Sequence, residues 1–311
     1  MAALSTLFPV FFMVLLGIIS RIKGFVTPEQ KEGANNIVFN VLFPILIFNI
    51  LLTSKIESSA ILIVVYVFIA FVLTMFIGKL FTKFTGERFS HISYFMLTTC
   101  EGGNVALPLY TSIVGVAYAS NTVIFDLAGT LIAFVLIPIM VAKLNAGQTS
   151  PKELAKTIFT NSFVIAVILG LGLNLLGVYN MLAQTPFIDV YTNTINMITG
   201  PIIGMILFII GYNLKINMYT LGSLLKLLIV RIVLFAFVIV GFFVFFPHLM
   251  ADKIYMLAVL IYFMCPTGFA LPMQISPLFK SEEDNSYTAA LISLNMVVTL
   301  IVYTVIVIFI V

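Results

Sequence analysis

Charge is scarce in this sequence. Asp, Glu, Lys and Arg make up 9% of its 311 residues, whereas 62% are hydrophobic and the mean hydropathy is +1.20. A soluble domain carries roughly 25% charged residues and has too little interior to hide this much apolar surface. A water-soluble fold is thereby excluded, and lipid is left as the solvent for most of the chain. Lipid offers the backbone no hydrogen-bond partner, so the spanning segments are helices or a closed barrel. Apolar runs of about 20 residues without alternating polarity select helices.

Groups for catalysis or cofactor binding are equally sparse. The two cysteines, Cys100 and Cys265, fall inside apolar segments and read as small packing residues, not as a disulfide or metal pair. His91 and His248 fall at opposite membrane faces in the topology below, so they share no zinc ion, and neither HExxH nor GxSxG occurs. The absence of a P-loop argues against ATP-driven transport by this chain. An intramembrane enzyme needs a nucleophile with a base, or a metal cluster, and neither is visible. The loops are too short for a signalling domain, which weighs against a membrane sensor that binds a ligand without moving it. The sequence calls for no cofactor, no metal and no enzymatic activity.

What is present is a series of ten apolar segments, near 4–20, 34–54, 58–80, 91–113, 119–142, 158–177, 188–211, 219–246, 254–278 and 285–310. The first lacks a basic leader and a small-residue cleavage pattern, so it reads as a span and not as a signal peptide. Basic residues separate by loop parity. The odd-numbered loops hold Arg21, Lys23 and Lys31, then Lys79, Lys83 and Arg88, then Lys143, Lys152 and Lys156, then Lys215, and last Lys280. The even-numbered loops hold Lys55 and Lys253. The odd loops are therefore expected in the cytoplasm and both termini outside. The net charge of +3 follows from cytoplasmic loops that face anionic membrane lipid, and implies no nucleic-acid partner.

Two halves are detectable. Cys100-Glu101-Gly102-Gly103-Asn104-Val105-Ala106-Leu107-Pro108 in the fourth segment parallels Cys265-Pro266-Thr267-Gly268-Phe269-Ala270-Leu271-Pro272 in the ninth. Thr27-Pro28 with Pro44 parallels Thr185-Pro186 with Pro201 in the second and seventh. Five spans per half turn the second half over. The expected fold is thus an all-α integral membrane protein of ten helices in a 5+5 inverted repeat, the ground plan of many secondary carriers. Its divisions are 1–142 for the first repeat, 143–157 for a cytoplasmic loop and 158–311 for the second.

Helices 4 and 9 should be broken and crossed, because Gly102, Gly103 and Pro108 in one, and Pro266, Gly268, Pro272 and Pro277 in the other, remove helix propensity and backbone donors in mid-span. Breaks free N–H groups and carbonyls for an anion and a cation. Glu101 lies about 16 Å into its span at helical rise, near the bilayer centre. A carboxylate there is protonated, paired or facing water. With Asp126 it is a candidate for coupling to a proton, or for a cation site; the competing reading is a structural hydrogen bond to a freed backbone group. Asn104, Thr267, Gln274 and Asn295 supply mixed donors and acceptors. The expected substrate-binding set is Gly102, Gly103, Asn104, Pro108, Pro266, Thr267, Gly268 and Gln274, and the expected ion-coupling set is Glu101, Asp126 and Asn295. Arg231, close to Lys226, is expected to extend back to the cytoplasmic surface.

Gly17, Gly24, Thr27, Pro28 and Glu29 lead into Asn36 and Leu42-Phe43-Pro44; Asn104, Pro108 and Pro266-Thr267 follow, so the pattern spans essentially the whole chain. In these features the sequence resembles the auxin efflux carrier family, whose members include plant auxin carriers and bacterial malate or malonate permeases. The resemblance implies crossed broken helices, elevator-like motion, outward termini and a homodimer through the scaffold helices. Asn104, Pro108, Pro266 and Thr267 match the family's crossover positions. Glu101-Gly102-Gly103 replaces a more neutral stretch, and the long cytoplasmic loop of many plant carriers is missing. The expectation is therefore a prokaryotic-type carrier of a small organic anion, a mono- or dicarboxylate, coupled to protons. The alternative is a sodium-coupled symporter resembling the bile-acid carriers.

Overall fold

The computed structural model of the chain describes residues 2–53, 59–144, 152, 156, 160, 162–214, 221–269 and 271–311. Most of the expected 143–157 loop, together with Lys55, Lys215 and Ala270, lies outside the described residues. Among the described residues there are helices and turns and no strand. Among the described residues five helices are long and apolar enough to cross a bilayer: Pro28–Thr53, Ala60–Leu80, Phe187–Asn213, Leu221–Phe245 and Glu282–Phe309. Ala2–Lys23 is a further helix of 22 residues, and Val164–Leu175 and Lys253–Phe263 are shorter apolar helices. The chain divides into two compact units, each built from two stretches of sequence.

One unit comprises Met1–Glu57 and Ala155–Leu214. Its second helix begins with a capping box. The Thr27 hydroxyl accepts from the Gln30 N–H at 3.3 Å and the Gln30 side chain accepts from the Thr27 N–H at 2.9 Å, with Pro28 in the first turn where its missing N–H costs nothing. The helix runs to Thr53 through a π turn over Val38–Leu42, directly before Pro44, whose ring and absent donor disfavour an unbroken α-helix. Ala2–Lys23 packs on Ile202–Asn213 with the backbones in near contact. A β-carbon on Gly17 would strike the Phe208 carbonyl, and one on Gly211 would strike that of Val14. Lipid gives helices no hydrophobic reason to associate, so close approach over small residues carries the attraction. Arg21 then donates to the carbonyl of Tyr212 at 3.0 Å and to that of Leu214 at 2.6 Å, satisfying orphan acceptors where that helix ends. Asn174 ties Ser162–Leu175 to the Leu51 and Leu52 carbonyls, and the Tyr191 hydroxyl donates to Asn49 at 2.8 Å.

The other unit comprises Ser58–Leu154 and Lys215–Val311. Its core is aromatic. Phe263 lies 5.3 Å from Phe242, 5.7 Å from Phe125, 6.1 Å from Phe235 and 6.2 Å from Phe71 between ring centres. Each such pair contributes about 0.5–1.5 kcal/mol beyond its buried area. Gly241 leaves room for Tyr66, whose hydroxyl donates to the Val238 carbonyl at 2.7 Å and locks Ser59–Leu80 to Leu221–Phe245. Leu80, Phe237 and Phe309 on its surface are among the most exposed apolar side chains, which suits contact with lipid tails.

Candidate functional site

Two helices of the second unit are interrupted, and the interruptions meet. In the first, a short 3₁₀ turn over Phe95–Leu97 gives way to extended backbone at Thr98, and helix resumes only at Gly102. Thr99 has φ of 51°, a left-handed conformation that a β-branched residue adopts only when its surroundings force it. In the second, Lys253–Phe263 ends, and a new helical turn starts at Leu271. The break near residue 101 thus lies just before the Gly102-Gly103 pair. Pro108 falls in the first turn of Leu107–Val114, where proline is well tolerated.

Hydrogen bonds stitch the breaks together. The Glu101 N–H donates to the Pro266 carbonyl at 2.7 Å, the Thr267 hydroxyl donates to the Thr98 carbonyl at 2.9 Å, and the Thr99 and Thr267 hydroxyls lie 3.4 Å apart. The Gly268 N–H reaches the Thr99 hydroxyl at 3.4 Å. Glu101 is buried, and its carboxylate accepts from backbone on both sides: the Phe269 N–H on one oxygen, and the Asn104 N–H at 3.4 Å on the other. A single side chain therefore caps the helix that starts at Gly102 and holds the opposite break.

Asp126 approaches the same helix start from Ser120–Leu131. Its carboxylate accepts from the Tyr262 hydroxyl at 3.2 Å and lies against the Gly102 backbone. Gly102 is obligatory for this approach, because a β-carbon there would overlap the Asp126 carboxylate and lie 2.8 Å from the Tyr262 ring. Glu101 and Asp126 thus flank one half-helix start, whose partial positive charge favours anionic groups.

Arg231 is where the sequence reading fails. It was expected at the cytoplasmic surface beside Lys226, but it is 3% exposed, and its guanidinium lies between the two breaks. It donates to the carbonyls of Met96 at 3.2 Å, Thr98 at 3.3 Å, Thr99 at 2.7 Å and Cys265 at 3.0 Å, and meets the Cys100 sulfur at 3.5 Å. Its guanidinium carbon lies over the Phe235 ring, 4.3 Å from the ring centre. A guanidinium presents five donors in a fixed fork, and the breaks free several carbonyls at once, so the two requirements match. The signal was available in a basic residue ten positions into an apolar helix opposite two helices expected to break.

Of the expected site residues, Glu101, Gly102, Asn104, Pro266, Thr267 and Gly268 come together, with Gly103 next in the chain and Asp126 packed against Gly102. Among the described residues, no hydrogen bond joins Pro108, Gln274 or Asn295 to that cluster. Asn295 is connected to it indirectly, since the Thr299 hydroxyl bonds both the Asn295 carbonyl and the Met264 carbonyl at the ninth-segment break. Its side-chain Nδ2 is buried without a partner, as is Oε1 of Gln274. Among the described residues no group of acids, histidines and cysteines is placed to hold a metal ion.

A second buried acid escaped the sequence reading. Asp284, 3% exposed, accepts from the Lys280 N–H at 2.6 Å and lies 3.1 Å from His91 Nε2. A family model described as membrane transport protein matches residues 2–311. No curated protein matches the chain.

Proposed function

Because the chain belongs to the membrane transport protein family, the family of the auxin efflux carriers, we propose that it is a secondary carrier of a small organic anion, a mono- or dicarboxylate, coupled to protons. The observation that supports this reading is the crossing itself. Glu101 holds N–H groups that an incoming carboxylate also needs. While Glu101 is ionised it occupies the Phe269 and Asn104 donors. A proton on Glu101 weakens its claim on them and cancels the charge that would repel an anion. Anion and proton then bind together more readily than either does alone, which is the thermodynamic requirement for symport.

In this proposal Gly102, Gly103, Asn104, Pro266, Thr267 and Gly268 line the substrate site, with Pro108 and Gln274 beside it. Asp126 and Asn295 are secondary coupling groups. The ten-helix 5+5 inverted repeat is part of the same reading, and the composition of the units supports it: each takes one stretch from each half of the chain, as interleaved repeats require. The unit that carries the crossing is the substrate-bearing part of an elevator-like cycle. The protein is a homodimer in the cytoplasmic membrane with both termini outside.

The test is uptake of radiolabelled malate, malonate and lactate into proteoliposomes under an imposed pH gradient, a sodium gradient or neither. The pH gradient alone should drive accumulation, replacement of sodium by choline should leave it unchanged, and Glu101→Gln should abolish its pH dependence. Accumulation that needs sodium, or Glu101→Gln that keeps full pH-dependent accumulation, sinks the proton reading. Absence of any flux sinks carriage of these anions.

A further inference from the structure

A cavity of about 670 Å³ opens in the unit that carries the crossing. Its volume falls in the range of small-molecule sites, about 300–1,000 Å³. Phe269, the residue whose N–H holds the Glu101 carboxylate, lines it together with Ser276, Lys280, Ser281 and Asn285. The cavity therefore touches the same backbone segment as the crossing, one peptide from the carboxylate-binding donors.

The charges around it are not equivalent. Glu282, Glu283 and Asp284 form an acidic first turn on Glu282–Phe309. Two of the three are engaged away from the cavity: Glu283 pairs with Arg88, and Asp284 is buried against His91 and the Lys280 N–H. Among the described residues Lys280 makes no ion pair, and its exposed side chain lines the cavity together with that of Glu282. An ammonium without an ion pair among the described residues, an amide and two hydroxyls, beside backbone whose N–H already binds one carboxylate, suit a carboxylate.

We propose that this cavity is a docking vestibule for the carboxylate substrate, with Lys280 as its capturing charge and Glu282 as a brake that keeps capture weak enough for release. The inference rests on the carrier reading. It adds a site that acts before the crossing, and it predicts opposite effects for two residues two positions apart.

The experiment uses Ser276→Cys in the full chain, reconstituted in phosphatidylcholine vesicles so that the lipid carries no net charge. Background labelling is low because Cys100 and Cys265 are buried. Rates are compared for an anionic sulfonate and a cationic ammonium methanethiosulfonate, with and without malonate, and malonate uptake is measured in parallel. The anionic reagent should react faster. Lys280→Gln should cut the anion-to-cation rate ratio by about twofold to fivefold, the effect of one unit charge a few ångströms away in a wet cavity, and Glu282→Gln should raise it. Malonate should slow the reaction. Ser281→Cys gives the same comparison if the first variant does not fold. A ratio unmoved by Lys280→Gln, or labelling indifferent to malonate, overturns the vestibule even where uptake is normal. Anion-selective, malonate-protected labelling without uptake upholds the vestibule and overturns carriage instead.

Discussion

Replacing Arg231 by Met keeps the length and apolar stem of the side chain and removes its donors. Four carbonyls accept from the guanidinium. That of Thr98 keeps the Thr267 hydroxyl, whereas those of Met96, Thr99 and Cys265 must find another donor. An unsatisfied buried acceptor costs about 1–3 kcal/mol, so three cost about 3–9 kcal/mol. Taking a buried cation away returns several kcal/mol of desolvation. The expected net loss is about 2–5 kcal/mol, concentrated at the two breaks. Arg231→Lys should recover only part of it, because one ammonium cannot span acceptors on both breaks. Thermal unfolding in detergent, followed by intrinsic tyrosine fluorescence, measures the stability loss. Proteolysis at the two breaks measures its location. If Arg231→Met melts within 1 °C of the parent with unchanged cleavage, on the order of 0.5 kcal/mol or less, the guanidinium does not hold the two breaks together and the reasoning fails.

Gly102→Ala places a methyl group against the Asp126 carboxylate and the Tyr262 ring, and overpacking of this kind costs about 1–3 kcal/mol. Uptake should fall about tenfold or more, whereas Gly172→Ala, which meets nothing, should be silent in the same assay. His91→Ala leaves Asp284 buried with the Lys280 N–H as its remaining partner at that end, and melting should drop clearly below that of His248→Ala, whose histidine is exposed. Gly211→Leu drives a side chain into the Val14 backbone, so the unit formed by Met1–Glu57 and Ala155–Leu214 should lose its protease resistance, whereas Gly33→Leu should not affect it.

Much of the helical character was legible from composition, because an apolar run that must satisfy its own backbone in lipid has few alternatives to helix. The break positions were legible only approximately. Gly102-Gly103 and Pro108 marked the right segment, but the interruption sits at Thr98 to Glu101, a stretch with neither Gly nor Pro. Thr99 in a left-handed conformation is imposed by the partners of its hydroxyl and carbonyl, all distant in sequence. Propensity reports what a residue tolerates alone, and such a conformation is sustained by neighbours.

The sequence by itself determined the solvent, the helical class and the family, and it singled out Glu101, because each depends on local composition or on residues close together in the chain. Tertiary structure decided what those residues meet. Lys226 and Arg231 look alike as charges on an apolar helix, yet Lys226 lies over Phe84 while Arg231 is drawn inward by carbonyls from positions 96 to 99 and 265. Whether a long basic side chain reaches water or stays buried depends on how many acceptors are waiting inside. That number is set by two breaks more than 160 residues apart, which only the folded chain brings together.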